Sequence, residues 1–223
     1  MEIMFFKSNG DGTCSVCGTI DPIYLNANVV IPLISPDGDR VTGIDKNAFY
    51  NCFYIKSVTI PESVTSIGDY AFCGCISLES VTIPENMTSI GSCAFYRCIS
   101  LKGVRIPYSV TNIGSCAFKG CRSLKKSGRF KATDGRMKCR DFQFEVGKEY
   151  ECEGEPKLCK NGFHFVENAF DLLNHYAGEI GKDIRIFSVT YESVSTETWG
   201  DSKRVCKKIR LVREYKSFAE LLN

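Results

Sequence analysis

A repeat of 23 residues constrains this chain more than any other feature. Ser57-Val58-Thr59-Ile60-Pro61, Ser80-Val81-Thr82-Ile83-Pro84 and Gly103-Val104-Arg105-Ile106-Pro107 align with their prolines 23 residues apart. A second apolar pair follows each proline: Val64 and Ile67, Met87 and Ile90, Val110 and Ile113. Ala-Phe recurs at Ala48-Phe49, Ala71-Phe72, Ala94-Phe95 and Ala117-Phe118, then a cysteine at Cys52, Cys75, Cys98 and Cys121. Ile55, Leu78, Leu101 and Leu124 complete each copy. An earlier copy, Val29-Val30-Ile31-Pro32, lies 29 residues before Pro61. Its surplus fits the turn composition of Ser35-Pro36-Asp37-Gly38-Asp39.

Such a period describes a coil of chain. V-x-I alternates with period two, so it is a short strand with Val and Ile inward. The proline that follows has no N–H and ends the strand. Gly68, Gly91 and Gly114 are expected to turn the chain back at positive φ. Ala-Phe-x-x-Cys is expected to form a short helical or 3₁₀ turn with Phe at the centre. One coil cannot bury its own apolar face, and stacking turns equivalent positions into ladders.

The chain holds 13 cysteines, an odd number, in a sequence long enough to bury its own core. A disulfide scaffold fits that poorly. Cys52, Cys75, Cys98 and Cys121 share one phase and read instead as small apolar core residues. The single C-x-x-C, Cys14 to Cys17, has no second pair, and on a strand its two residues would face opposite ways. No metal or cofactor is expected.

The columns together resemble the leucine-rich repeat class, and specifically its BspA-like branch, over about Val29 to Leu124. That resemblance implies a solenoid with short parallel strands. It also implies bacterial and protozoan adhesion or interaction proteins, many of them surface-exposed, and hence a protein partner. Outward strand positions hold Ser57, Thr59, Ser80, Thr82, Gly103 and Arg105, a small polar lining without an acidic pair or a histidine. Thr59, Thr82 and Arg105 are therefore candidate contacts. Tyr50, Tyr54, Tyr70, Tyr96 and Tyr108 fall at non-core phases. They read either as contact residues, with Tyr50 and Tyr96 foremost, or as local packing.

Residues 1–27 are expected to form an N-terminal hairpin cap, with Asn9-Gly10-Asp11-Gly12 as its turn. The repeats occupy 28–125. Residues 126–223 form a small α+β unit, either a C-terminal cap or a separate domain. Alternation places strands at 142–146, 150–153, 163–166, 184–189 and 205–212. A helix is expected after Asn168, with Ala169, Leu172, Leu173 and Tyr176 as its stripe and Gly178 as its stop. Lys216 to Leu222 reads as a terminal helix. Cys139 to Phe144, Gly147-Lys148-x-Tyr150, Cys159-x-x-Gly162-Phe163-His164-Phe165 and Asp201-Ser202-Lys203 resemble a domain of unknown function found in phage and gut-bacterial proteins.

Net charge is +2, which gives no reason to expect a nucleic acid or an anionic membrane as partner. No 18-residue apolar run exists, and the start, MEIMFFKSNGDG, lacks the pattern of a signal peptide. A cytoplasmic location is the expectation. The functional expectation is a non-catalytic protein-interaction scaffold. The alternative is an enzyme in the second half acting on a nucleotide. Gly-Phe-His-Phe followed by a helix ending in Tyr176 resembles an ADP-ribosyltransferase core, which would assign Arg140, His164, Tyr176 and Glu197 as catalytic candidates. A metal site from Cys139, Cys152, Cys159 and His164 would have irregular spacing. Trp199, in the polar turn Trp199-Gly200-Asp201-Ser202-Lys203, is a further candidate ligand contact.

Overall fold

Alternation in the V-x-I segments sets three short strands side by side. In the computed structural model, Asn28–Val30, Ser57–Thr59 and Ser80–Thr82 pair in parallel, with Val29 opposite Val58 and Val58 opposite Val81. The structure describes residues 4–20, 27–124, 127–134, 136, 138–139, 142–153, 163–174, 178–179, 184–194 and 203–223. The next copy makes only an isolated bridge, Ser80 to Gly103, where glycine has no side chain to pack on a strand.

A second sheet forms from the V-x-x-I segments. Its order is Met4–Ser8, Thr13–Thr19, Arg40–Ile44, Ser66–Ile67, Ser89–Ile90, Asn112–Ile113, Gly178–Glu179. The first two strands are the expected antiparallel hairpin, which hands over to a parallel run from Thr13–Thr19 onward. Hairpin and repeats are thus hydrogen-bonded into one sheet, and the hairpin covers the strand edge that the first coil would otherwise expose.

The Ala-Phe-x-x-Cys segments make the third side of each coil as turns, not helix. Their N–H groups alternate in use. Those of Asn47, Phe49 and Asn51 donate to the next coil, at Asp69, Ala71 and Cys73. Those of Ala48, Tyr50 and Cys52 bond locally three residues back. The inter-coil donors repeat at Tyr70, Phe72 and Gly74, and again at Cys93, Phe95 and Arg97. This alternation explains why the segment is not a helix: half of its donors serve the neighbouring coil.

The backbone corrects the expectation about glycine. Gly68, Gly91 and Gly114 do not have positive φ. They are needed because the coils touch there. A Cβ on Gly68 would stand 2.6 Å from the Lys46 nitrogen, one on Gly91 2.6 Å from the Asp69 nitrogen, and one on Gly114 2.3 Å from the Ser92 nitrogen. Left-handed backbone falls instead on Asn47, Tyr70, Cys93 and Cys116, and again on Asn51, Gly74, Arg97 and Gly120. These two phases bracket each turn. Asn and Gly adopt that region at low cost, whereas Tyr, Arg and Cys are held there by the stacking around them.

Phe49, Phe72, Phe95 and Phe118 form a continuous stack, with ring centroids 5.0, 5.3 and 5.3 Å apart and planes within 6° of parallel. Phe170 ends the stack, meeting Phe118 edge-on at 5.4 Å. One buried apolar cluster runs from Met4 through every repeat column to Phe130, Ile184, Phe218 and Leu222.

Among its described residues the second half is mostly strands, with one 3₁₀ turn and one short terminal helix. Its sheet runs Glu149–Glu151, Lys203–Tyr215, Phe163–Asn168, Ser127–Asp134, Ile184–Val194, all antiparallel. Ile184–Val194 pairs in addition with Lys203–Tyr215, which closes four strands into a ring. Phe144, Phe163, Phe165, Phe187, Val189, Cys206, Ile209 and Leu211 fill it as a second cluster. The expected helix after Asn168 is a six-residue 3₁₀ turn, Ala169–Asn174, although Asn168 Oδ1 does accept from the Phe170 N–H at 3.3 Å. Gly178 belongs to a strand on Ile113 instead of ending a helix. The terminal helix is Phe218–Leu222, capped by Ser217, whose hydroxyl accepts from the Glu220 N–H.

Candidate functional site

Strand alternation fixes what the repeat face presents. Val29, Val58, Val81 and Val104 are buried, and their neighbours Val30, Thr59, Thr82 and Arg105 are exposed. These exposed neighbours therefore share one side of the strand set. Salt bridges organise its margin: Lys102 Nζ meets Glu79 at 2.6 Å, and Arg105 meets Glu85 at 2.8 Å. The Lys102 hydrogen bond, then its charge, holds the Glu79 carboxyl below its usual range. These groups are solvated, so the pairs orient side chains more than they stabilise the fold.

Tyr50 and Tyr96 do not join that row. Both sit in the turn column, where Tyr50 is exposed and Tyr96 is half-buried. The Arg97 guanidinium lies 5.4 Å from the Tyr96 ring centroid. Sequence reasoning missed a second row, Phe53, Ile76 and Ile99, each about 40% exposed. Its signal was present: an apolar residue follows Cys52, Cys75 and Cys98, at a phase that the buried columns do not use.

The cysteine column is buried as expected: Cys52, Cys75, Cys98 and Cys121 are all nearly inaccessible thiols. They do more than fill space. The Sγ of Cys75, Cys98 and Cys121 each donates to the carbonyl of the phenylalanine one coil back, Phe49, Phe72 and Phe95, at 3.2, 3.1 and 3.0 Å. Burial pushes the Cys52 thiol up to about 11 and the Cys75 thiol further still. Cys98 is raised by its hydrogen bond to the Cys121 thiol, then by burial. The Cys52, Cys75 and Cys98 thiols are held protonated, which suits a donor and disfavours a nucleophile.

Of the four catalytic candidates, Arg140, Tyr176 and Glu197 lie outside the described residues, as do Cys159 and Trp199. His164 lies on the strand Phe163–Asn168, half-buried between buried Phe163 and Phe165. Its carbonyl accepts from Lys131 Nζ at 3.0 Å, and that ammonium sits 4.9 Å from the Phe144 ring centroid. Among the described residues, no three metal-ligating side chains gather. Also among them, no helix is long and apolar enough to cross a membrane.

Among the described residues, several contacts tie the second half to the last coil, including the Asn168 amide, which donates to the Leu124 carbonyl at 3.4 Å. Phe170 closes the ring stack, Gly178–Glu179 pairs with Asn112–Ile113, and the Asn223 amide clamps Ile106. Its Oδ1 accepts from the Ile106 N–H at 3.1 Å and its Nδ2 donates to the Ile106 carbonyl at 2.9 Å, satisfying both groups of an edge residue.

Stacked short parallel strands with repeated apolar columns define a leucine-rich repeat protein. Residues 42–130 of the chain match a BspA type leucine rich repeat region, and residues 128–222 match a domain of unknown function, DUF7666. Among solved structures, it is similar to the leucine-rich repeat protein of T. pallidum, at 31% identity and a TM-score of 0.51 over 55% of this chain and 56% of that one. It is also similar to a leucine-rich cell surface protein of Faecalibacterium prausnitzii, at 34% identity and a TM-score of 0.50 over 56% of this chain and 34% of that one. The chain thus spans about half or less of these relatives. No curated protein matches it. Leucine-rich repeats are in general protein-interaction scaffolds.

Proposed function

We propose that this protein is a non-catalytic interaction scaffold whose repeats form a short solenoid of 23-residue coils. The reading assigns 1–27 as the amino-terminal cap, 28–125 as the solenoid and 126–223 as the unit that closes its far end. The partner is a protein that lies along the exposed strand row at Thr59, Thr82 and Arg105. The observation that carries this is the separation of roles along one strand set. Every inward valine is buried, while its neighbour, Val30, Thr59, Thr82 or Arg105, stays exposed. A rigid, mainly polar surface suits recognition of an extended partner without a pocket. Tyr50, Tyr96 and Trp199 are secondary contacts in the same reading.

Photo-crosslinking tests it. A benzophenone amino acid is placed at Thr59 or Thr82, and at Lys148 as a control, in the source cells. The proposal expects one species captured by both row positions and absent from the control. Equal capture at all three positions, or none at the row, overturns it.

A further inference from the structure

We propose that Cys93 and Cys116 are an oxidant-responsive pair that closes into a disulfide between the last two coils. The two occupy the same phase of successive coils, and both have left-handed backbone, with φ of 53° and 58°. The chain around them is tightly stacked. The Cys93 N–H donates to the Ser115 carbonyl at 2.9 Å, and a Cβ on the neighbouring Gly114 would stand 2.3 Å from the Ser92 nitrogen. The adjacent Phe95 and Phe118 rings put the coil spacing at 5.3 Å. A disulfide spans Cα separations of about 4.4–6.8 Å, and coils stacked at this ring spacing bring equivalent residues into that range. Both sulfurs are half-buried, unlike the sealed column of Cys52, Cys75, Cys98 and Cys121.

The surroundings of the pair support the assignment. Ser115 Oγ donates to Cys116 Sγ at 3.7 Å. Burial first, then the charge of the Cys116 thiol, raises the Cys93 thiol above its usual range. Cys93 is therefore a slow, pH-accelerated responder, in contrast to a low-pKa peroxide sensor.

The oxidant is a peroxide. One sulfur, as thiolate, attacks the peroxide oxygen and the O–O bond breaks, leaving a sulfenic acid and water. The second sulfur attacks the sulfenic sulfur, the S–O bond breaks, and a second water leaves. Two thiols and hydrogen peroxide thus become one disulfide and two waters. The link ties together the coil on which Phe170 and Gly178–Glu179 rest and the coil before it.

The test treats the full chain with hydrogen peroxide at neutral and mildly alkaline pH, then maps crosslinked peptides by mass spectrometry without reduction. The expected product joins Cys93 to Cys116, forms faster at the higher pH, and disappears in Cys93→Ser and in Cys116→Ser. Cys73→Ser, which removes a neighbouring thiol, leaves it intact. A dominant Cys73–Cys93 link, oxidation of the core column at the same rate, or the same Cys93–Cys116 yield in denaturant would each overturn the proposal.

Discussion

Replacing Gly91 by alanine isolates one close backbone contact between coils. The new Cβ would stand 2.6 Å from the Asp69 nitrogen, 2.6 Å from the Gly68 carbonyl carbon and 2.8 Å from Asp69 Oδ1. Two of these are backbone atoms and cannot swing away, so the coils must part by about an ångström. Parting them weakens the Gly91 N–H bond to the Ile67 carbonyl at 2.8 Å and the Ser92 N–H bond to Asp69 Oδ1 at 2.7 Å. The first is worth about 1 kcal/mol and the second, to a charged acceptor, about 2 kcal/mol. Against this, alanine restricts the unfolded chain and returns about 0.5 kcal/mol. The net loss is about 2–3 kcal/mol, which at a urea slope of about 2 kcal/mol/M moves the midpoint down by more than ~1 M. Gly103→Ala is the internal control. A Cβ there meets nothing within 4 Å and the backbone is not left-handed, so its midpoint should stay within ~0.3 M of the parent. Urea unfolding followed by tyrosine fluorescence compares the two. Equal midpoints for the two variants would refute the close-contact argument.

Further outcomes follow from the same geometry. Phe95→Ala breaks the ring stack at its middle and should cost about 3–5 kcal/mol, read as a fall in Tm. Asn223→Ala removes both bonds to Ile106, and the Ile106 amide should exchange with solvent about tenfold faster; an unchanged rate would remove the clamp from the account. Glu214 is held down to about 2, first by the Arg185 hydrogen bond, and its folded value lies below its unfolded one near 4.5. Its stabilisation is thus complete above pH 4.5 and fades as pH falls towards 2. Glu214→Gln should be about 1–2 kcal/mol less stable at neutral pH and converge with the parent near pH 2; parallel curves would contradict the pairing.

The inward columns were legible because they are a property of period alone. Val58, Phe72, Cys98 and Leu101 recur at fixed spacing, and burial follows from stacking. The purpose of Gly91 was not legible, because the distance between coils belongs to the assembled stack. Positive φ was assigned to the residue type that tolerates it, whereas stacking imposes it on Tyr70 and Arg97. In the second half, alternation located strands near 184–189 and 205–212 but could not reveal that they pair with each other and close a ring. The helix after Asn168 shortened to a 3₁₀ turn that directs Phe170 onto Phe118. Thr59 and Thr82 were legible as a row because strands alternate; Tyr50 and Tyr96 were legible as non-core positions, and their place in the turn column belongs to the folded coil.

Native-state cysteine labelling tests the stacked interior most directly. The folded protein is pulsed with iodoacetamide across a urea series and each cysteine is quantified by mass spectrometry. Cys52, Cys75, Cys98 and Cys121 should stay unlabelled in native buffer while Cys17 reacts, and all four should become reactive together at the global unfolding midpoint. Labelling of any of the four in native buffer at the rate of Cys17 would contradict the account.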